Sequence, residues 1–216
     1  MPLDASKTRE KLIDEAARAF AKHGVFGASL IDITRRAGQR NRGALHYHFG
    51  SRSGVLCAVL ERHVDFLARR EGELLEIALA RPDDDVRSVV EAIVRPATEL
   101  AESDWRGRSF LMILAELVEE DPESLDADVA DALTRTGGYA VYDLLATRMA
   151  DVRPEVRNER FALATGFILR AVADRARVLG RRGRRGRPQL EHEAFVDNLV
   201  TMVAAGMSAP AQTPLT

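Results

Sequence analysis

A short segment near the amino terminus concentrates side chains that can form hydrogen bonds with a nucleic acid. They are Asn41, Arg42, His46, Tyr47, His48 and Arg52. On a helix, His46 and His48 would point about 200° apart, so the two imidazoles cannot chelate one metal ion. No nucleophile motif, phosphate-binding glycine loop or cysteine cluster organises the remaining polar residues, so we expect no enzyme activity, metal or cofactor. The same side chains suit contacts with base edges and phosphates.

Local signals predict a short helix just before this segment. Ser29 followed by Asp32 resembles a capping box with Asp in place of Glu, so a helix should begin at Leu30. Gly38 follows the last apolar residue and should end that helix in the left-handed conformation.

The nucleic-acid candidates themselves fall on a second short helix. Asn41 is the predicted N-cap of a helix over 42–49, in which Leu45 and Phe49 form the buried face. The opposite face would carry Arg42, Gly43, His46 and Tyr47. A helix of this size fits the major groove of B-DNA. Two short helices with a glycine turn are also a common structural connector, so spacing alone leaves both interpretations open.

The flanking elements favour DNA binding. Leu12, Ala16 and Phe20 indicate an amphipathic helix of three or four turns that ends at Gly24 and supplies the third helix that such a unit needs. Downstream, Ser51 should cap a helix whose first turn contains Arg52. A cation is unfavourable there for the helix dipole, which indicates that Arg52 faces an anion such as phosphate. We therefore predict a helix-turn-helix DNA-binding domain over residues 1–52.

Because of these features, positions 8–60 resemble the N-terminal domain of the tetracycline-repressor (TetR) family of bacterial transcription regulators. Ile33, Ala37 and Gly38 match the second helix of that pattern, and the segment 45–52 resembles its Leu-Tyr-Tyr-His-Phe recognition helix with the following Lys. His46 stands where the family usually has a phosphate-contacting Tyr, and Arg52 replaces the Lys.

The resemblance implies how the reading helix would contact DNA. Arg42 is the first candidate for a base contact, with guanine as its preferred partner, and Gly43 occupies a base-facing position. The phosphate candidates are Ser29, Tyr47, His48 and Arg52. Residues 1–56 contain 10 Lys and Arg against 5 Asp and Glu, whereas the whole chain has a net charge of −2. The basic part of the chain thus coincides with the predicted interface.

Composition indicates a soluble cytoplasmic protein. The chain has 216 residues, 46% apolar and 30% charged, with no apolar run long enough to span a membrane and no signal peptide. A single cysteine, Cys57, excludes an intramolecular disulfide and is expected to be a buried, inert thiol.

Beyond the first domain the pattern is helical throughout, so we predict an all-α fold. Apolar periodicity and Pro or Gly breaks predict helices over 52–80, 85–101, 106–120, 126–150, 154–179 and 190–206. Pro96 should kink the second of these helices, and Gly137 and Gly138 interrupt the fourth. Together they would form an effector-binding and dimerisation domain over 53–207, followed by a disordered tail over 208–216.

The last two predicted helices each carry apolar residues on two sides, which favours a homodimer interface. The candidate interface residues are Phe161, Ala164, Gly166, Ile168, Val172, Phe195, Leu199 and Met202. A monomeric bundle in which this pair of helices is central remains the alternative. The connection between them, residues 181–187, is rich in arginine and is interpreted as a solvated loop far from the DNA-reading end, with an anion-binding patch as the alternative.

The resemblance also implies a cavity for a small-molecule effector of unknown identity among the helices from 52 to 179. The residues proposed to line it are Trp105, Phe110, Met112, Tyr139, Tyr142, Met149 and Phe167, for which core packing is the alternative.

The sequence therefore predicts a homodimeric, ligand-responsive regulator, expected to be a repressor, that reads a palindromic double-stranded operator with half-sites about one helical turn or slightly more apart. A dimeric DNA-binding protein without an effector and a helical protein-interaction module are the alternatives.

Overall fold

A computed structural model describes residues 2–120, 122–135, 138–180 and 188–210, and within these ranges the protein is all-α with no strand. The helices are α1 (Pro2–His23), α2 (Leu30–Arg36), α3 (Ala44–Phe49), α4 (Arg52–Leu79), α5 (Val86–Ser103), α6 (Trp105–Leu117), a 3-10 turn (Pro122–Ser124), α7 (Ala127–Thr134), α8 (Tyr139–Arg148), α9 (Pro154–Leu179) and α10 (His192–Met207). In the part of the chain described, no helix is both long and apolar enough to cross a membrane.

Helices α1 to α3 form a small amino-terminal unit around Phe20, Ile33 and Leu45, all of which are buried. The predicted start of α2 is confirmed, because the Ser29 hydroxyl accepts the Asp32 N–H at 3.3 Å. Gly38 adopts φ +76° after α2, a conformation that side chains with a Cβ rarely take. This left-handed turn redirects the chain toward α3.

Helix α4 runs without a break from the amino-terminal unit into a bundle formed by α5 to α10. Helix α5 occupies the middle of that bundle and packs against α4, α6, α8, α9 and α10. It continues through Pro96, where the sequence predicts a kink. The predicted helices over 52–80, 85–101, 106–120, 154–179 and 190–206 are confirmed to within three residues at each end.

The predicted helix over 126–150, which the sequence expects to be interrupted at Gly137 and Gly138, forms two helices in the structure. Helix α7 ends at Thr134 and α8 begins at Tyr139. Gly138 immediately precedes α8 with φ +93°. An α-helix requires negative φ throughout, so the chain cannot continue one helical path through this glycine.

A buried arginine connects three helices of the bundle. Arg175 of α9 is 4% exposed and donates from Nε and Nη2 to Glu102 Oε1 at 3.0 and 2.6 Å. Its Nη1 donates to the Leu190 carbonyl at 2.9 Å, and its guanidinium lies over the Phe195 ring at 4.6 Å. Arg175 therefore links α9 to α5 and to the beginning of α10.

Hydrogen bonds to α6 help to fasten the amino-terminal unit to the bundle. The Asp14 carboxylate of α1 accepts from Arg106 Nε and Nη2 at 2.9 and 2.7 Å. Past the end of α1, the Val25 N–H donates to Glu116 Oε1 of α6 at 2.8 Å. Helix α6 therefore contacts α1 near its middle and again at the turn that follows it.

Candidate functional site

Helix α3 is anchored by two buried residues and presents its other side to solvent. Ala44 and Leu45 are buried, whereas His46 is exposed and Tyr47 is 84% exposed. Such a large exposed aromatic side chain is unusual on a surface that contacts only water. The hydroxyl of Tyr47 is free to reach a partner beyond this protein surface.

The predicted beginning of the reading helix is wrong by two residues. Helix α3 begins at Ala44, and Arg42 and Gly43 lie in the turn before it. The Asn41 Oδ1 accepts the Gly43 N–H at 2.9 Å, so Asn41 caps this turn and not a helix starting at position 42. Local side-chain hydrogen bonding competes with helix formation, and Gly43 disfavours a helix by about 1 kcal/mol relative to Ala.

Three exposed arginines near α3 have no carboxylate partner among the described residues. Arg36, Arg40 and Arg42 are exposed, and none forms an ion pair with another described residue, whereas Arg35 pairs with Asp32 at 2.7 Å. Sequence reasoning did not select Arg36 or Arg40. The signal was present, since residues 29–52 contain five arginines and one acidic residue. An uncompensated cationic surface of this kind favours binding of a polyanion.

Arg52 is partly engaged inside the amino-terminal unit. Its Nη1 donates to the Val25 carbonyl at 2.6 Å, and Ser51 caps α4 by accepting the Gly54 N–H at 3.1 Å. Arg52 thus holds the turn between α1 and α2 against α4. An arginine has five N–H donors, so its interpretation as a phosphate contact stays a prediction.

The remaining predicted contact residues are also located. Ser29 is exposed while its hydroxyl caps α2. His48 is half-buried and meets the Tyr47 ring edge-on, with centroids 5.2 Å apart. The exposed members of the predicted contact set are therefore Ser29, Arg42, Gly43, His46 and Tyr47. Only part of the His48 ring is exposed.

A cavity of about 480 Å³ lies among helices α4 to α9. Pockets of roughly 300–1,000 Å³ hold small organic ligands. Of the predicted lining residues, Phe110, Tyr139 and Tyr142 border it. The wall is mainly apolar, with Leu67, Ile93, Leu111, Leu114, Leu117 and Ile168 among its members.

The polar groups of the cavity cluster at the α8 side. Glu71 Oε2 accepts the Gly138 N–H at 2.8 Å, and the Tyr142 hydroxyl is hydrogen-bonded to Thr165. Burial raises the pKa of Glu71 to about 7, although the Gly138 hydrogen bond opposes this shift. Burial also raises the pKa of Tyr142, and the nearby Glu71 charge adds to that increase. Sequence reasoning missed Glu71, because nothing in its local pattern distinguishes it from the surface acids of α4.

Two family models match the chain. Residues 12–59 match "Bacterial regulatory proteins, tetR family" and residues 91–206 match "Tetracyclin repressor-like, C-terminal domain". The chain belongs to the TetR family.

Individual relatives agree with the family models. The regulator SrpR of Pseudomonas putida is 44% identical over 57 residues, which is 26% of this chain and 26% of SrpR, so the match spans about a quarter of that relative. The activator FasR of Mycolicibacterium smegmatis is 28% identical over 214 residues, covering 99% of this chain and 88% of FasR. The crystal structure of AibR in complex with isovaleryl coenzyme A and operator DNA has a TM-score of 0.57 at 18% identity, covering 90% of this chain and 97% of AibR.

Four residues predicted to line the cavity of this TetR-family protein lie elsewhere. Trp105 and Met112 border a groove between α1 and α6, where Trp105 packs under the Arg18 guanidinium at 3.7 Å. Met149 is buried outside the cavity wall, and Phe167 is 44% exposed. Aromatic and sulfur-containing residues were selected by type, and type does not determine which side of a helix faces a cavity.

The residues predicted for the dimer interface divide into three groups. Ile168, Val172 and Leu199 are buried within one protomer, so they do not belong to an exposed face. The half-buried members are Phe161, Ala164 and Phe195. Gly166 and Met202 are exposed and are accompanied by Leu163 and Phe167, which the sequence analysis did not include.

Residues 181–187 lie outside the described part of the chain, as do 211–216 of the predicted tail. Gly180, the residue before the arginine-rich segment, lies in the same groove as Arg18 and Lys22 of α1. The interpretation of this segment as a solvated loop far from the DNA-reading end therefore stays a prediction. Among the described residues, no three His, Cys, Asp or Glu side chains are grouped so that they could hold a metal ion.

Proposed function

We propose that this TetR-family protein is a DNA-binding transcription regulator that places α3 in the major groove. The observation that carries the proposal is the exposed face around α3, where Arg36, Arg40 and Arg42 have no carboxylate partner and Tyr47 projects into solvent. Unpaired arginines gain most from contact with phosphates, because each contact releases condensed counterions. Arg42, beside α3, is the candidate for reading a base.

The regulator acts as a homodimer. One α3 helix reads only a few base pairs, so two related helices are needed for a palindrome with half-sites about one turn or slightly more apart. Leu163, Phe167 and Met202 form an exposed apolar strip on α9 and α10, at 64%, 44% and 53% exposure. A partner protomer would remove this strip from water.

A small molecule controls the regulator by occupying the cavity. The cavity is enclosed mainly by apolar side chains and has a few convergent polar groups, which is the usual character of a ligand site. The AibR structure, which has the same fold, holds both isovaleryl coenzyme A and operator DNA, and this supports a regulator with two kinds of ligand. Repression, the expected direction of control, stays a prediction, and FasR is named as an activator.

Fluorescence anisotropy with the duplex upstream of the protein's own gene tests this function. We expect binding at least about a thousandfold tighter than to a scrambled duplex at the same salt concentration. Equal affinity for both duplexes would contradict sequence-specific regulation, and absence of DNA binding would favour a protein-interaction module. Transcription in vitro from the bound promoter, with and without the protein, then gives the direction of control.

A further inference from the structure

The charged side chains that line the cavity are all acidic. Glu71 and Glu120 border it, together with the hydroxyls of Thr134, Tyr139, Tyr142 and Thr165. No lysine, arginine or histidine is found among its described lining residues. An anionic ligand would therefore enter an apolar site that offers it no counter-charge and two carboxylates.

Glu71 is positioned to receive a cation. It projects from α4 toward the beginning of α8, where its Oε2 is held by the Gly138 N–H at 2.8 Å. Tyr142, one turn into α8, is close enough for the Glu71 charge to raise its pKa, and Tyr139 and Phe110 also border the cavity. The cavity thus combines a carboxyl group with aromatic residues, the combination that binds organic cations.

Because Glu71 can gain or lose a proton, the affinity of the site depends on the charge of the ligand. Burial raises the pKa of Glu71 to about 7, so this carboxyl exchanges its proton near neutral pH. A bound cation favours the ionised carboxylate and forms an ion pair as well as a hydrogen bond with it, whereas a neutral ligand forms only the hydrogen bond. The apolar wall, including Phe110, Leu111 and Leu114, can cover the rest of such a ligand.

We propose that the effector is an apolar molecule with one positively charged amine, which Glu71 binds at the α8 side of the cavity. The inference rests on the proposed function only in taking this cavity as the effector site. It names a chemical class that the family membership does not specify.

Three probes of matched shape test the proposal: 4-phenylbutylamine, 4-phenylbutan-1-ol and 4-phenylbutanoate. Isothermal titration calorimetry with the full chain at pH 7 and without DNA should show the amine binding at least about tenfold more tightly than the carboxylate. Glu71→Gln should weaken amine binding about tenfold and leave the alcohol within about threefold of its original affinity. Glutamine can still accept the Gly138 N–H, so the cavity should keep its shape, and far-UV circular dichroism checks this.

Glu76→Gln is the matched control, because Glu76 is exposed on the same helix and does not border the cavity. Its binding of all three probes should equal that of the original chain. The proposal is overturned if the carboxylate binds as tightly as the amine, if none of the probes binds, or if Glu71→Gln leaves amine binding unchanged. Since DNA is absent from these titrations, their failure is separable from failure of operator binding.

Discussion

Arg42 lies in the turn that precedes α3, with Asn41 holding that turn from its other side. Its side chain is exposed at the N-terminal end of α3, from which base edges and phosphates are both within reach of a long guanidinium group. A bidentate contact with guanine needs the planar fork of arginine, whereas a phosphate contact needs only its charge.

Replacing Arg42 therefore separates the two roles. Arg42→Ala should lose about 1 to 3 kcal/mol of specific binding and relax the preference at one base pair of each half-site. Arg42→Lys keeps the charge and should relax the same preference. Anisotropy titrations on a panel of single-base operator variants measure both. A loss of equal size on every duplex would reassign Arg42 to the DNA backbone.

Glu71 should make the stability of the protein depend on pH. Its folded pKa of about 7 lies above the ordinary value of 4.5, so the unfolded chain releases the proton first. Stability from this group is complete below about pH 4.5 and is lost as pH rises through 7. Glu71→Gln removes the titration and should raise the unfolding free energy by about 1 to 3 kcal/mol at pH 8.

Urea unfolding at pH 5 and pH 8 gives the comparison. The gain from Glu71→Gln should fall to about a quarter of its pH 8 value at pH 5, and Glu76→Gln should show none at either pH. An equal gain at both pH values would mean that packing, and not ionisation, distinguishes the variant.

At the scale of helices, the parts of the fold that depend on local signals could be predicted. The Ser29 cap and the Gly38 turn define α2 through backbone geometry alone, and both are present. The pair of glycines at 137 and 138 likewise indicated the break before α8, where Gly138 has φ +93°. The start of α3 could not be predicted, because the Asn41 side chain can cap either a turn or a helix, and here it accepts the Gly43 N–H in a turn.

The candidate sites could be predicted less well than the helices, because the sequence does not show which neighbours each side of a helix meets. Periodicity shows that α9 has apolar residues on two sides, but not which side faces its own protomer. Ile168 and Val172 turned inward, whereas Leu163 and Phe167 turned outward. Likewise, Glu71 meets Gly138 at the beginning of α8, 67 residues later in the chain. The residues next to Glu71 in the sequence do not indicate this contact.

Helix α6 connects the cavity with the amino-terminal unit. Leu114 and Leu117 line the cavity, and Glu116 between them accepts the Val25 N–H. Glu116→Ala should therefore free that N–H and raise its hydrogen-exchange rate about tenfold or more, since hydrogen bonds to charged groups contribute about 1.5–3 kcal/mol.

Exchange measured by NMR on the Val25 amide reports this directly. Glu119→Ala supplies the comparison, because Glu119 is exposed near the same end of the helix and forms no side-chain contact with Val25. Unchanged exchange in Glu116→Ala would show that the Glu116 contact does not hold the turn.

At the scale of the whole molecule, the exposed strip on α9 and α10 gives a sharp test of assembly. A Cβ at Gly166 would meet no atom within 4 Å in one protomer, so Gly166→Arg should leave the monomer folded. Against a partner helix the same arginine would be a buried, unpaired charge costing about 3–5 kcal/mol. Sedimentation velocity should then show a monomer with unchanged circular dichroism.

Gly72→Arg is the control for this substitution. Gly72 lies in α4, is exposed, and also has open space around its Cβ position. That variant should remain dimeric. If the Gly166 variant sediments as a stable dimer, the two protomers meet through some other surface.

The contacts of Arg175 indicate where the protein can accept an insertion. Its guanidinium holds both Glu102 and the Leu190 carbonyl, so the end of α9 and the approach to α10 are fastened by contacts outside residues 181–187. Changes in the length or composition of that segment leave these fastenings in place. We therefore expect the segment to accept a fluorescent label or an affinity tag without loss of these contacts.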